Sequence, residues 1–443
     1  MLLRVGPSFK SSDTMVSHLG QSLSRRRCGH RQIASFLIGA ALLIAGCSIV
    51  ATPSTQTASG LKPIDQAALQ SLVDTTIREL LIPGAVVLLR TPQGEFTAAS
   101  GTTELGTRNR PGGDTHFRIA SNTKTMTAAV ILQLAQEGKL RPSDPVSKYV
   151  PWVPSGDNIT IAQLLEMRSG LYNYTNAPEL SASIDGDPTK VWTPAELLTI
   201  AFAHPPNFPP GTKYEYCNTN YALLGLIIEK MDGRPLATAM QKRLFEPLGM
   251  QHTVLPASTS SSIPEPYSHG YLYGSSSVAL YGTPPYSPEE KAAARAGNFL
   301  PNDYTGVNHS FAAAAGGVIS TADDLATWIR ALVAGRVLNA EYQRRWLDSL
   351  KPEDPSKPAQ KYGYGIAQVS WGPNTIYFHG GETPGYNSKI SYDPTNQMTL
   401  IVWTNLAVSL DEQQTANTLW VKVLDHIYKV SPLAPQPSAT TTP

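Results

Sequence analysis

The chain has 443 residues, 41% hydrophobic and 16% charged, with a formal net charge of +1 at pH 7. That is enough apolar sequence for a large core in one or two domains. The near-zero charge excludes a global field for nucleic acid or acidic partners, and the sequence holds no basic stripe, zinc-finger spacing or Walker loop.

The first segment reads as a targeting sequence. Arg25, Arg26, Arg27 and Arg31 precede the apolar run Ile33–Ala45, which is too short to cross a bilayer as an ordinary helix and fits a signal-peptide core. The run ends in Leu43-Ile44-Ala45-Gly46-Cys47, which resembles a bacterial lipobox. Residues 1–46 are therefore expected to be a lipoprotein-type signal peptide, with Cys47 the lipidated residue. The expected location is the extracytoplasmic side of the cell membrane. Ser24 to Arg27 also suits twin-arginine export. The sequence leaves the export route open, and likewise a start at Met15. Of Cys28, Cys47 and Cys217, only Cys217 would remain inside a mature domain, so no internal disulfide is expected. Residues 47–60, rich in Ser, Thr and Ala, read as a linker. The Pro/Thr-rich residues 431–443 read as a disordered tail, which leaves 61–430 as the folded body.

The body opens with Ala85–Arg90 and Glu95–Ala99, separated by Thr91-Pro92-Gln93-Gly94, which predicts a hairpin. A helix is predicted over Thr123–Gln136 (TKTMTAAVILQLAQ), rich in helix formers and followed by Gly138 as a stop. It is apolar on nearly every side, as in a buried helix. Further helices are predicted over Ile161–Met167, Pro194–Ala203, Tyr221–Met231 and Ala322–Ala334. Thr375–Phe378, Asn387–Tyr392 and Met398–Thr404 read as strands. Strands at both ends with helices between predict an α+β fold: an antiparallel sheet flanked by helices, with an inserted helical region.

The chemistry begins at Ser121-Asn122-Thr123-Lys124. A serine hydroxyl needs a neighbour to take its proton. On a helix, residues three apart share a face, so Lys124 stands beside Ser121, and the helix N-terminus adds N–H groups and positive dipole. Ser121 is the candidate nucleophile and Lys124 its proton handler. Tyr216-Cys217-Asn218 follows a Pro209-Pro210-Gly211 turn and precedes an apolar helix. There Tyr216 could serve as general base if a nearby lysine lowers its pKa, with Asn218 holding a substrate carbonyl. Tyr174-Thr175-Asn176 has the same pattern, and Tyr216 is preferred for its position before the buried helix. His379-Gly380-Gly381 stands at the end of a strand, where glycine admits a ligand close to the backbone. His379 could meet a substrate carboxylate or the Lys/Tyr pair. Cys217 as the nucleophile is disfavoured, because no histidine lies near it in sequence. No Gly-x-Ser-x-Gly elbow or His-Glu-x-x-His is present.

Ser121-x-x-Lys124, Tyr216-x-Asn218 and His379-Gly380-Gly381, in that order, make the chain resemble the serine β-lactamase and penicillin-binding superfamily in its class C-like branch. It is most similar to secreted bacterial D-Ala-D-Ala carboxypeptidases. Phe208-Pro209-Pro210-Gly211, Phe245-Glu246-Pro247-Leu248-Gly249-Met250 and Ser320-Thr321-Ala322-Asp323-Asp324-Leu325 match as well, and the resemblance covers roughly residues 65–425. It implies a β-lactamase/transpeptidase-like fold and acyl-enzyme chemistry. Ser121 would attack, Lys124 and Tyr216 would share the proton traffic, and the N–H groups of Ser121 and Glu382 would hold the oxyanion. No metal or cofactor is implied. Implied partners are a small-molecule or peptide substrate, such as a cell-wall stem peptide or a β-lactam. Two positions depart from the pattern. Gly380 and Glu382 stand where the carboxypeptidases carry hydroxyl residues that contact the substrate carboxylate. A Glu382 carboxylate would repel that group, which favours substrates without it. Cys217 stands where serine is usual. Arg168 and Arg295 are further carboxylate-binding candidates that read equally as surface residues. The leading expectation is D-Ala-D-Ala carboxypeptidase-like or β-lactamase-like amide hydrolysis. An esterase on small acyl esters, and a non-catalytic peptidoglycan- or partner-binding protein, are the alternatives.

Overall fold

The computed structural model describes residues 60–282 and 286–430. The expected signal segment, Cys47, residues 47–59 of the expected linker and the expected C-terminal tail lie outside the described residues. No helix among the described residues is long and apolar enough to cross a membrane.

Asp65 starts helix α1 (Gln66–Leu80), its carboxylate accepting from the N–H groups of Ala67 and Ala68. Leu69, Val73, Ile77 and Leu80 recur at helical spacing and form its buried stripe. The predicted hairpin follows as β1 (Gly84–Thr91) and β2 (Gly94–Gly101). Helix α2 (Thr123–Gln136) has the predicted bounds, and Gly138 takes the left-handed conformation just past it. Helix α3 (Asn218–Asp232) begins at Asn218, three residues before the predicted start. Helix α4 (Ala322–Val333) is capped by Thr321, whose hydroxyl accepts from the Asp324 N–H.

The C-terminal part contributes β3 (Lys351–Pro352), β4 (Gln360–Tyr362), β5 (Ala367–Trp371), β6 (Asn374–Thr383), β7 (Tyr386–Asp393), β8 (Met398–Thr404) and helix α5 (Thr415–Ile427). Together with the first hairpin they form one eight-stranded antiparallel sheet in the order β2-β1-β8-β7-β6-β5-β4-β3. Strands β3 to β5 were not expected. They are short: β3 and β4 span two and three residues, and the alternation of Ala367-Gln368-Val369-Ser370-Trp371 in β5 covers only five. The sheet closes where β1 pairs β8, from Ala85↔Thr404 to Arg90↔Thr399.

Helices α1 and α5 cover one face of the sheet, and α4 covers the other, where the turn leading into α2 meets β6 and β7. The alternation of β8 shows this. Leu400 lies across from Ser391, whose hydroxyl accepts from Trp420 of α5. Trp403, three residues on and therefore on the opposite face, stacks on Phe117 at 4.8 Å, just before α2. Trp328 of α4 donates to Thr125 of α2 at 2.7 Å. The inserted helical region, with Ile161–Leu165, Pro194–Phe202 and α3, packs on α2. The site lies where the N-terminus of α2 meets β6.

Candidate active site

Ser121 sits in a single 3-10 turn, Ala120–Asn122, that leads into α2. Ala120 is held at φ 47°, a strained angle for a residue with a side chain, and this turns Ser121 out into the cleft. Strand β6 presses against the same turn. A Cβ on Gly381 would stand 2.1 Å from the Ile119 carbonyl oxygen and 2.9 Å from Asn122 Nδ2. Only glycine lets the strand come so close. Asn122 completes the joint by donating to Ser388 of β7 at 2.8 Å.

Lys124 is fully buried, 0% exposed. Its Nζ lies 2.9 Å from Ser121 Oγ, 2.7 Å from Asn218 Oδ1 and 2.7 Å from the Ala315 carbonyl oxygen. Burial holds its pKa well below the usual lysine range. The two oxygens from Asn218 and Ala315 are acceptors only and take two N–H bonds. A neutral amine then has its lone pair left for the Ser121 hydroxyl, which donates to it. This arrangement lets Lys124 accept the Ser121 proton.

The sequence expectation that a lysine would lower the Tyr216 pKa is reversed. Burial raises the phenol above its usual value, although its hydrogen bond with Ser121 pulls the other way. Lys124 Nζ lies 4.9 Å from the Tyr216 ring centre, and this buried amine has the lower affinity for a proton. Tyr216 is therefore a protonated donor beside the nucleophile. The rival Tyr174 is buried and donates to the Phe311 carbonyl at 2.6 Å, a structural role. Asn218, expected to hold a substrate carbonyl, has both ends engaged. Its Oδ1 accepts from Lys124, and its Nδ2 donates to Thr175 Oγ1 at 3.0 Å. Its position as first residue of α3 fixes Lys124.

His379, Gly380 and Gly381 lie inside β6 and not at its end, because the strand continues to Thr383 in register with Tyr386. His379 is buried. Its Nδ1 is 2.7 Å from the Gly380 carbonyl, which can only accept, so Nδ1 carries the proton and Nε2 accepts from the Tyr362 hydroxyl at 3.0 Å. Burial, reinforced by Lys124, pushes its pKa down to about 3. His379 is neutral and does not supply the cation that the sequence reading allowed.

Strand β5 pairs only with Asn374–Phe378 of β6. The outer edge of residues 379–383 is thus left unpaired by β5, and residues 379–382 line the same cleft as Ser121. The cleft has a volume of about 440 Å³ and also takes in Tyr362, Glu353, Lys389 and Asn417. Glu382 is half-buried, accepts from Asn387 Nδ2 at 3.2 Å, and has its pKa raised by burial to about 8. This shift favours the neutral acid and weakens the expected repulsion of a substrate carboxylate.

Cys217 is buried, donates to the Leu171 carbonyl at 3.3 Å, and has its pKa pushed up by burial to about 11, the profile of an inert thiol. Arg168 donates to the Pro352 carbonyl at 2.8 Å and Arg295 pairs with Asp411 at 3.1 Å; neither lines the cleft. Sequence reasoning missed Tyr362, Lys389 and the Ala315 carbonyl. Tyr362 and Lys389 stand in unremarkable local sequence, and a backbone oxygen carries no sequence signal.

The sequence model of the family described as beta-lactamase matches residues 69–425. Protein PbpX of Bacillus subtilis (strain 168), which bears the name of a penicillin-binding protein, is 28% identical over 308 residues, covering 69% of this chain and 66% of that one. Protein flp of Staphylococcus aureus (strain MW2) is 30% identical over 203 residues, covering 44% and 40%. The chain thus spans less than two thirds of the length of either relative. Among solved structures, a D-stereospecific amidohydrolase from Streptomyces sp. superposes with a TM-score of 0.69 at 31% identity, covering 81% of this chain and 99% of that one. The D-amino acid amidase of Ochrobactrum anthropi SV3, in complex with L-phenylalanine amide, gives a TM-score of 0.68 at 27% identity, covering 81% and 97%.

Proposed function

We infer the reaction from two observations together: the chain belongs to the beta-lactamase family of serine hydrolases, and Ser121, Lys124 and Tyr216 lie side by side next to a strand edge that β5 leaves unpaired. We propose that it hydrolyses amide bonds on the carboxyl side of a D-amino acid residue through an acyl-enzyme on Ser121. The single observation that carries the chemistry is the buried Lys124 amine, 2.9 Å from Ser121 Oγ. The edge of β6 supports an amide or peptide over a simple ester, because its backbone groups can pair with an extended substrate. The D-configuration rests on the two amidohydrolases with which the chain superposes.

In this reading Ser121 Oγ attacks the carbonyl carbon while its proton passes to Lys124 Nζ. N–H groups at the start of α2 and on β6 face the developing oxyanion. The C–N bond breaks as the Tyr216 hydroxyl protonates the leaving nitrogen, and Lys124 returns its proton to Tyr216. Water then attacks the acyl-enzyme by the same proton path in reverse, releasing the acid and free Ser121.

The test is covalent labelling of the purified chain by a fluorophosphonate, with turnover of D-alanine p-nitroanilide and p-nitrophenyl butyrate. Ser121→Ala should lose the label and all turnover. Label retained in Ser121→Ala would remove Ser121 as nucleophile, and turnover of the ester alone would move the protein to the esterase reading.

A further inference from the structure

The departures at 380 and 382 remove the hydroxyls that would meet a substrate carboxylate, yet the structure places a cation at the same point. Gly380 and Lys389 are cross-strand partners on β6 and β7. A Cβ on Gly380 would lie 3.9 Å from Lys389 Nζ and 3.8 Å from Lys389 Cδ. With no side chain at 380, the amine of the neighbouring strand reaches the wall of the cleft. It is held there on three sides: 4.3 Å from the Phe378 ring centre, 4.9 Å from that of Trp420, and 2.8 Å from Asn417 Oδ1, to which it donates. Strand geometry, two aromatic faces and an amide thus fix one ammonium group in a defined place.

Lys389 is the sole lysine or arginine side chain lining this cleft among the described residues. The carboxyls that line it are Glu353 and Glu382. Glu353 is the charge that acts on Lys389, and burial draws the amine down to about 8, which leaves it mainly protonated at neutral pH. An ammonium has three donors, and only the bond to Asn417 is a hydrogen bond to the protein.

We propose that Lys389 anchors a carboxylate on the leaving-group side of the substrate, replacing the absent hydroxyl contacts, so that the preferred amides are those whose leaving group is itself an amino acid with a free carboxylate. This rests on the serine amidohydrolase reading and names its substrate class. Lys389 is a specificity residue here. It plays no part in the proton path at Ser121.

The experiment compares three substrates sharing a D-alanyl acyl group: the dipeptide D-Ala-D-Ala, its C-terminal carboxamide, and a p-nitroanilide. Each is assayed with the unaltered chain, Lys389→Met and Lys389→Arg. Methionine keeps the apolar stem between Phe378 and Trp420. For the dipeptide acid, Lys389→Met is expected to lower kcat/KM by about ten- to a hundredfold, as for loss of a charge-assisted hydrogen bond, chiefly through KM. The carboxamide and p-nitroanilide should change less than about twofold, and Lys389→Arg should recover much of the loss. Equal losses on acid and carboxamide, or no loss on either, would overturn the proposal. So would turnover of the p-nitroanilide without turnover of the acid, an outcome that leaves the Ser121 reading intact. Absence of Ser121-dependent turnover on all three would overturn both.

Discussion

At the level of single residues, the site is governed by what burial does to protons. Lys124 is pushed toward neutrality, Tyr216 is kept protonated and His379 is kept neutral. These three directions fit the base, acid and hydrogen-bonded support proposed for the three residues. They also separate the two tyrosine candidates. Tyr216→Phe should lower kcat by about a hundredfold or more, as for loss of a positioned general acid, with little change in stability. Tyr174→Phe leaves the Phe311 carbonyl without its buried donor and should cost about 1–3 kcal/mol of stability with kcat nearly unchanged. Steady-state kinetics and urea unfolding on the two variants check this, and the reverse ranking would restore Tyr174 as the candidate.

Among the elements, the joint between the α2 turn and β6 decides whether these residues meet. Ser121 and Lys124 come from one helix start, Tyr216 and Asn218 from the start of another, and the strand wall of the cleft from β6, near the other end of the chain. The strand reaches the helix only because Gly381 has no side chain where the Ile119 carbonyl and Asn122 amide stand. Gly381→Ala should therefore force β6 away from Ser121. Acylation by a fluorophosphonate should slow by more than about tenfold, while far-UV circular dichroism stays that of a folded chain, since a shift of about 1 Å at a reacting site is enough for such a loss. Labelling at the original rate would show that the joint is not what sets the geometry.

For the whole molecule, the sheet ties both ends of the body together, so local electrostatics at the site are felt in global stability. Glu382 has a folded pKa near 8 against the ordinary 4.5. Between these values the folded protein holds a proton that the unfolded chain has released. Stability from this group is therefore full below about pH 4.5 and declines as pH rises through 8. Glu382→Gln should flatten that decline between pH 6 and pH 9 in urea titrations. An unchanged slope would mean that the carboxyl is ionised in the folded state at neutral pH.

Most of the site was legible because its chemistry is local. Ser121 and Lys124 share one helix turn, and the pattern that starts and stops α2 is written in Thr123–Gln136 and Gly138. The hairpin, the last three long strands and the α+β arrangement followed from short runs bounded by turn residues, and the three ordered motifs named the family. What the sequence could not decide depends on neighbours far apart in the chain. The direction of each pKa shift is set by burial against residues such as Tyr362 and Ala315, so the roles proposed for Lys124, Tyr216 and His379 rest on the packed site. Glu382 read as a repelling charge because local sequence carries no measure of desolvation. Lys389 was silent because its meaning lies across a strand pair, opposite a glycine. Periodicity and caps act over a few residues and are readable in order. Dielectric environment and cross-strand proximity are properties of the folded whole.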